Sequence, residues 1–223
     1  VSQIITVNDE TAPTVPAAPA TVEVNCADDI PAPITLNATD NCGGTYSGVA
    51  TDNRSDGTCP NNFIVTRTYT FTDECGNSST LTQTINVNDE IPPVAPTAPD
   101  DITVDCAELV PAATDLTATD NCTTDITVSP TETTENISDC GNNFVLTRTW
   151  TFADACDNRS EVVQIITVLD NRAPEVPDAP EAITYACSAD VPAAEILTAN
   201  DVCDGTITGV VSETRSNETC VND

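Results

Sequence analysis

Phe63–Ser79 reads FIVTRTYTFTDECGNSS and Phe144–Ser160 reads FVLTRTWTFADACDNRS, the same order of apolar, hydroxyl, arginine, aromatic and cysteine positions 81 residues later. In the first copy Phe63, Val65, Arg67, Tyr69 and Phe71 alternate with Ile64, Thr66, Thr68 and Thr70. A period of two is that of a strand with one face on a core and one toward solvent. Phe144, Leu146, Arg148, Trp150 and Phe152 repeat it. Most of the one Trp, three Tyr and four Phe fall in these two segments, so this aromatic strand is expected to carry the bulk of each core. Arg67 and Arg148 stand on the same face, where each is expected to stack on rings or to pair with an acid near the sandwich edge.

The cysteines set the period. Cys26, Cys106 and Cys187 are 80 and 81 apart, as are Cys42, Cys122 and Cys203; Cys59, Cys140 and Cys220 are 81 and 80 apart, and Cys75 lies 81 before Cys156. The chain therefore reads as a tandem array. Residues 1–10 (VSQIITVNDE) match 81–90 (LTQTINVNDE) and 162–171 (VVQIITVLDN), so 1–10 read as the last strand of a preceding repeat. Repeats 11–90 and 91–170 follow, then a partial repeat over 171–223, a window on a longer periodic polypeptide.

Composition removes several functions. The 223 residues carry a formal net charge of -30, 11 Cys, 16 Pro and no His, and all six basic residues are Arg. So acidic a chain cannot neutralise phosphates, which argues against nucleic acid and anionic membrane as partners. Without imidazole there is no Ser-His-Asp or Cys-His catalysis and no His-ligated metal, and no enzyme is expected. Regular cysteines indicate an oxidising, extracellular setting. No apolar run approaches the roughly 18 residues of a membrane span.

Each repeat opens with proline at every third place: Pro13, Pro16, Pro19; Pro93, Pro96, Pro99; Pro174, Pro177, Pro180. That is the polyproline II period and puts the rings on one side of a stiff lead-in. Short strands are expected at Thr21–Asn25, Ile102–Asp105 and Ile183–Ala186, then at Ile34–Thr39, Leu116–Thr119 and Ile196–Thr198. The aromatic strand and a closing strand complete each repeat. With no helical periodicity and frequent turn signals, the fold class is all-β: tandem immunoglobulin-like sandwiches of about seven strands, joined head to tail.

Strand direction places the cysteines. If the first strand runs down and the second up, the first and third cysteines lie at the bottom and the second and fourth at the top. Bridgeable Cα atoms must lie within about 7 Å. The expected pairs are Cys26–Cys59, Cys42–Cys75, Cys106–Cys140, Cys122–Cys156 and Cys187–Cys220, with Cys203 unpaired. A four-thiolate metal site is the competing reading, but no C-x2-C pair occurs.

The same topology gathers acids at the junctions between repeats. The terminal residues of each closing strand (Asp9, Glu10; Asp89, Glu90; Asp170) meet the top of the next repeat, where Asp40, Asp73 and Glu74, or Asp120, Asp154 and Asp157, or Asp201 are waiting. Oxygen-only ligation by clustered carboxylates suits Ca2+, which would stiffen the joints.

At TDECGNSSTLTQTINVNDE and ADACDNRSEVVQIITVLD, with the upstream TDNC, the chain resembles hyalin-repeat (HYR-like) domains. It is most similar to the four-cysteine type found in tandem in giant surface and adhesin proteins of Bacteroidota. The resemblance covers the whole chain and implies an immunoglobulin-like sandwich in a secreted or cell-surface stalk. Ordinary hyalin repeats carry two cysteines, and the late one follows the Gly-Asn, so the pairing above rests on strand direction instead. The first functional expectation is a structural array, an extracellular fibre or adhesin stalk whose partners are neighbouring repeats and other copies in a fibre. The alternative is a module recognising a glycan or protein through its variable middle segments, Gly43–Asn61 and Thr123–Asp139, where Tyr46 is the only aromatic.

Overall fold

A computed structural model describes residues 1–138, 142–186 and 190–214. In the first repeat the strands are β1 (Val22–Val24), β2 (Asn37–Thr39), β3 (Thr45–Ser47), β4 (Val49–Asp56), β5 (Asn62–Thr72) and β6 (Ser78–Asn88). β5 is the aromatic strand and sits inside a four-stranded sheet ordered β1-β6-β5-β4. It pairs antiparallel with both neighbours, while β1 runs parallel to β6 with Val22 opposite Ile85 and Val24 opposite Val87. The β2-β3 hairpin forms the second layer. Its edge is extended by the proline lead-in, where Thr14 exchanges backbone hydrogen bonds of 2.8 and 3.2 Å with Thr39. Six strands and this bridged seventh segment make an immunoglobulin-like β-sandwich.

The second repeat repeats the plan with β7 (Ile102–Val104), β8 (Leu116–Ala118), β9 (Ile126–Val128), β10 (Thr131–Asn136), β11 (Phe144–Ala153) and β12 (Arg159–Val168). The sheet order is β10-β11-β12-β7, with a β8-β9 hairpin and a Val94–Thr119 bridge. In the third repeat only the hairpin of β13 (Thr198–Asp201) and β14 (Gly205–Thr208) forms among the described residues, with a Glu175–Asn200 bridge. The strand expected at Ile183–Ala186 is absent, and the one expected at Ile196–Thr198 starts later and ends at Asp201. The late start at Thr198 is shared with β2, which begins at the equivalent Asn37, and the missing strand has its cause in the pairing. β1 and β7 exist by pairing with a closing strand, and within the 223 residues the third repeat has no aromatic or closing strand to offer. Residues 1–10 likewise form no strand.

By compactness the chain falls into two units. One is Val1–Thr97, Asp115–Pro130 and Trp150–Val162; the other comprises the described residues of Ala98–Thr114, Thr131–Thr149 and Val163–Asp223. The first unit holds three apolar clusters. Ala38 of β2 packs on Tyr69, Phe71 and Leu81, with Val15 of the lead-in alongside. Phe63, Val65, Ile85 and Val87 lie under Val22, Val24 and Ile30. Trp150 and Phe152 pack with Ala118, Leu116 and Ile126. Burying each large side chain stabilises the fold by about 1.5–3 kcal/mol. Gly48, between β3 and β4, is required by this packing, because a Cβ there would lie 2.7 Å from the Phe71 ring.

The lead-ins are docked. Pro13 and Pro93 are buried, Ser79 Oγ donates to Pro13 O at 2.7 Å, and the buried amides of Gln83 and Gln164 donate to Ala20 O and Asp100 O. The two arginines pair with acids, as one of the two sequence expectations has it. Arg67, 2 % exposed, donates from Nε and Nη2 to both oxygens of its cross-strand neighbour Asp52 at 2.8 and 2.9 Å, and from Nη1 to Pro31 O. Arg148 donates from Nε to Oε1 of its cross-strand neighbour Glu132 at 2.8 Å and from Nη2 to Pro111 O at 2.6 Å. The Arg67 guanidinium holds the Asp52 carboxyl below the usual range.

Candidate junction site: disulfides and carboxylates

The disulfides run between repeats. Cys26 bonds Cys122, Cys59 bonds Cys156 and Cys106 bonds Cys203, with Cα–Cα distances of 5.1, 5.1 and 5.3 Å and sequence separations of 96, 97 and 97. In each, a first or third cysteine of one repeat is joined to the second or fourth cysteine of the next. The expected pairs Cys26–Cys59, Cys106–Cys140 and Cys122–Cys156 are therefore corrected, Cys42 and Cys75 are free and exposed instead of paired, and Cys203 is bonded. Cys187 and Cys220 lie outside the described residues, as does Cys140.

Cys26 and Cys59 share a pole, as strand direction implies, but they are not partners. Ala27 N donates to Asn61 Oδ1 at 3.2 Å, which sets the end of β1 beside the start of β5 and puts Cys26 and Cys59 at one end. Sharing an end does not bring two Cα atoms within bonding range. The adjoining pole of the next repeat does, and Asn121 Nδ2 there reaches Cys26 Sγ at 3.2 Å.

The same junction gathers carboxylates. Asp89, Asp120 and Asp154 each present an oxygen within 4.8 Å of the others; the equivalents of the first two recur as Asp9 and Asp40, joined there by Cys42, and as Asp170 and Asp201, joined by Cys203. The sulfur of Cys203 is committed to its disulfide, so that last group offers two carboxylates.

Local turns aim these side chains. Asp89 directly follows β6 and accepts from Ile91 N; Asp120 accepts from Cys122 N and Thr123 N; Asp154 accepts from Cys156 N and Asn158 N and from Asn158 Nδ2. These are Asx-type turns. The turn after β5 needs one left-handed residue, supplied by Gly76 at φ 88° in one copy and Asp157 at φ 69° in the other. Asn158 Nδ2 also donates to Asp89 O at 3.0 Å, as Asn77 does to Asp9 O at 3.1 Å.

After these bonds Asp89 Oδ2 and Asp120 Oδ1 are buried with no hydrogen-bond partner, and so is Asp40 Oδ2 at the first junction. Asp89 is 4 % exposed. Burial, with Asp120 and Asp154 adding to it, raises its pKa above the ordinary carboxylate value. At Asp201 the backbone N–H groups of Asp204 and Cys203 win, and its pKa is lowered.

Five acids expected at the junctions, Glu10, Asp73, Glu74, Glu90 and Asp157, stand apart from these groups. Glu10 and Glu90 accept from Asn8 and Asn88, Asp157 pairs with Arg159 at the surface, and Glu74 is exposed. Burial works to raise the pKa of Asp73, but both its oxygens accept from Asn77, and these bonds together with the backbone N–H groups of Cys75 and Gly76 lower it. Asn77 and Asn158 were missed as junction residues, although the Asn two places after the fourth cysteine is the same in both copies. Tyr46 lies over Gly44 and bonds Gly43 O, folded onto its own loop.

A protein-family model described as an HYR-like domain with 4 cysteines matches residues 13–87 and 94–168. No curated protein matches the chain. The two matched segments each contain one aromatic strand and together span more than half of the sequence, and the chain belongs to the family of HYR-like domains with 4 cysteines.

Proposed function

We propose that this chain is a structural stretch of a long extracellular fibre or cell-surface adhesin stalk, in which sandwiches are bonded covalently from repeat to repeat and Ca2+ is held at the junctions. The observation that carries the reading is the direction of the disulfides. A bond within a repeat protects only that repeat, whereas Cys26–Cys122, Cys59–Cys156 and Cys106–Cys203 carry tension across joints that would otherwise be single peptide connections. Two bonds at one joint also oppose bending and twisting. Such bonds persist in oxidising compartments, which supports a place outside the cell.

The carboxylate groups support the cation. Burying an unpaired carboxylate oxygen is costly, and a divalent ion would satisfy Asp89 Oδ2 and Asp120 Oδ1 together while relieving their repulsion with Asp154. Hard oxygen donors select Ca2+, and three carboxylates with water completing the shell suit the weak affinities of extracellular modules, about 10⁻⁴ to 10⁻³ M. At about 100 times the dissociation constant, Ca2+ is expected to stabilise the first unit by about 2.7 kcal/mol. Thermal unfolding followed by Trp150 fluorescence, with Ca2+ and then with chelator, checks this. The shift should vanish in Asp89→Asn/Asp120→Asn. No shift in the unaltered protein, or an equal shift in the variant, removes the cation from the proposal and leaves the covalent joints.

A further inference from the structure

The pole carrying Cys42 and Cys75 is one half of a joint. Cys122 and Cys156, their equivalents one repeat on, are bonded to Cys26 and Cys59, while Cys42 and Cys75 are free and exposed. The rest of that half is already built: Asn77 Nδ2 holds Asp9 O as Asn158 holds Asp89 O, and Thr11 N bonds Asp9 Oδ1 as Ile91 N bonds Asp89 Oδ1.

A second observation says what belongs opposite. Val1, Ile5 and Val7 align with Leu81, Ile85 and Val87. The latter are 8, 0 and 2 % exposed, held between β5 and β1, whereas Val1, Ile5 and Val7 are 138, 74 and 88 % exposed. Residues 1–7 carry the sequence of a closing strand without the aromatic strand and the short parallel strand that flank it in the complete repeats. The partner that supplies both, and two thiols at the right pole, is another four-cysteine HYR-like repeat.

We propose that Cys42 and Cys75 are the acceptors of an inter-repeat double staple, Cys42 taking the first cysteine and Cys75 the third of a preceding repeat, with Val1–Val7 entering its sheet as the closing strand. Each bond joins two thiols with loss of two protons and two electrons, which reduce a disulfide donor such as oxidised glutathione to two thiols. The proposal rests on the direction of the disulfides and is independent of Ca2+.

The test extends the full chain at Val1 with a copy of residues 91–161, so that residues 1–10 take the place of 162–171. After folding in a glutathione redox buffer, peptide mapping without reduction should link Cys42 to the copied Cys106 and Cys75 to the copied Cys140. Amides of residues 1–7 should gain protection from hydrogen exchange by at least tenfold over the unextended chain. The Cys26–Cys122 and Cys59–Cys156 links in the same digest report that the remainder has folded. In Cys42→Ser/Cys75→Ser the copied Cys106 and Cys140 should alkylate under native conditions. A Cys42–Cys75 bond, or both thiols alkylating in the extended chain while the other links form, overturns the proposal.

Discussion

Replacing Cys59 and Cys156 together by alanine is expected to cost the first unit about 4 kcal/mol. In the chain-entropy model a bond closing a loop of about 100 residues contributes about 4.7 kcal/mol, and slightly less when Cys26–Cys122 has already shortened the path. The cost is a large share of the 5–15 kcal/mol typical of a domain. The single tryptophan, Trp150, is buried in this unit and reports its unfolding in urea. Alanine at Cys42, exposed and unbonded, should leave the urea midpoint unchanged and serves as the control. A paired replacement that costs less than about 1 kcal/mol would mean that the bond adds little to stability, leaving it only a mechanical role.

Removing Asp52 is expected to cost more than removing its partner. The Arg67 side chain is 3 % exposed and that of Asp52 42 %, so Asp52→Ala strands a guanidinium that cannot reach water, whereas Arg67→Met leaves a carboxylate that can. Stranding one member of a fully buried pair costs about 3–5 kcal/mol. Discounted for the exposure of Asp52, the expected losses are about 2–3 kcal/mol for Asp52→Ala and about 1 kcal/mol for Arg67→Met. The pH dependence has a definite sign. The folded pKa of Asp52 is depressed, so its contribution is complete above the unfolded value of about 3.9 and is lost as pH falls through the folded value. Arg67→Met should flatten that acid limb. Equal losses for the two variants, or an acid limb unchanged in Arg67→Met, would show that the pair is spectator to the fold.

Much of this architecture is written locally. The period of two from Phe63 to Phe71 and from Phe144 to Phe152 specifies an amphipathic strand whatever surrounds it, and β5 and β11 cover those residues. Arg67 and Arg148 read as ring-stacked or acid-paired, because a guanidinium on an apolar face has few other resting places, and the acids take them. The convergence of Asp89, Asp120 and Asp154 followed from strand direction, which fixes the pole at which each segment ends. Glu90 stands outside the group for a local reason, since it is exposed and accepts from Asn88 while Asp89 is the buried residue.

The cysteine partners were not legible in the same way. A period of 80 to 81 residues places Cys26 at the same pole whether it bonds Cys59 or the adjoining pole of the next repeat. Strand direction fixes height along the sandwich and leaves lateral position open. Only the packing at the joint decides between them. The short strand expected at Ile183–Ala186 does not form, and residues 1–10 stand unpaired, because a strand that exists through a neighbour has no signal of its own strong enough to form it alone.

The most direct measurement is peptide mapping of the unreduced protein with free thiols blocked beforehand. Stapling between repeats predicts peptides joined through Cys26–Cys122, Cys59–Cys156 and Cys106–Cys203, with Cys42 and Cys75 recovered as alkylated thiols in this chain. Peptides joined through Cys26–Cys59 and Cys122–Cys156 would contradict it, and the sandwiches would then be separately closed beads on a peptide string.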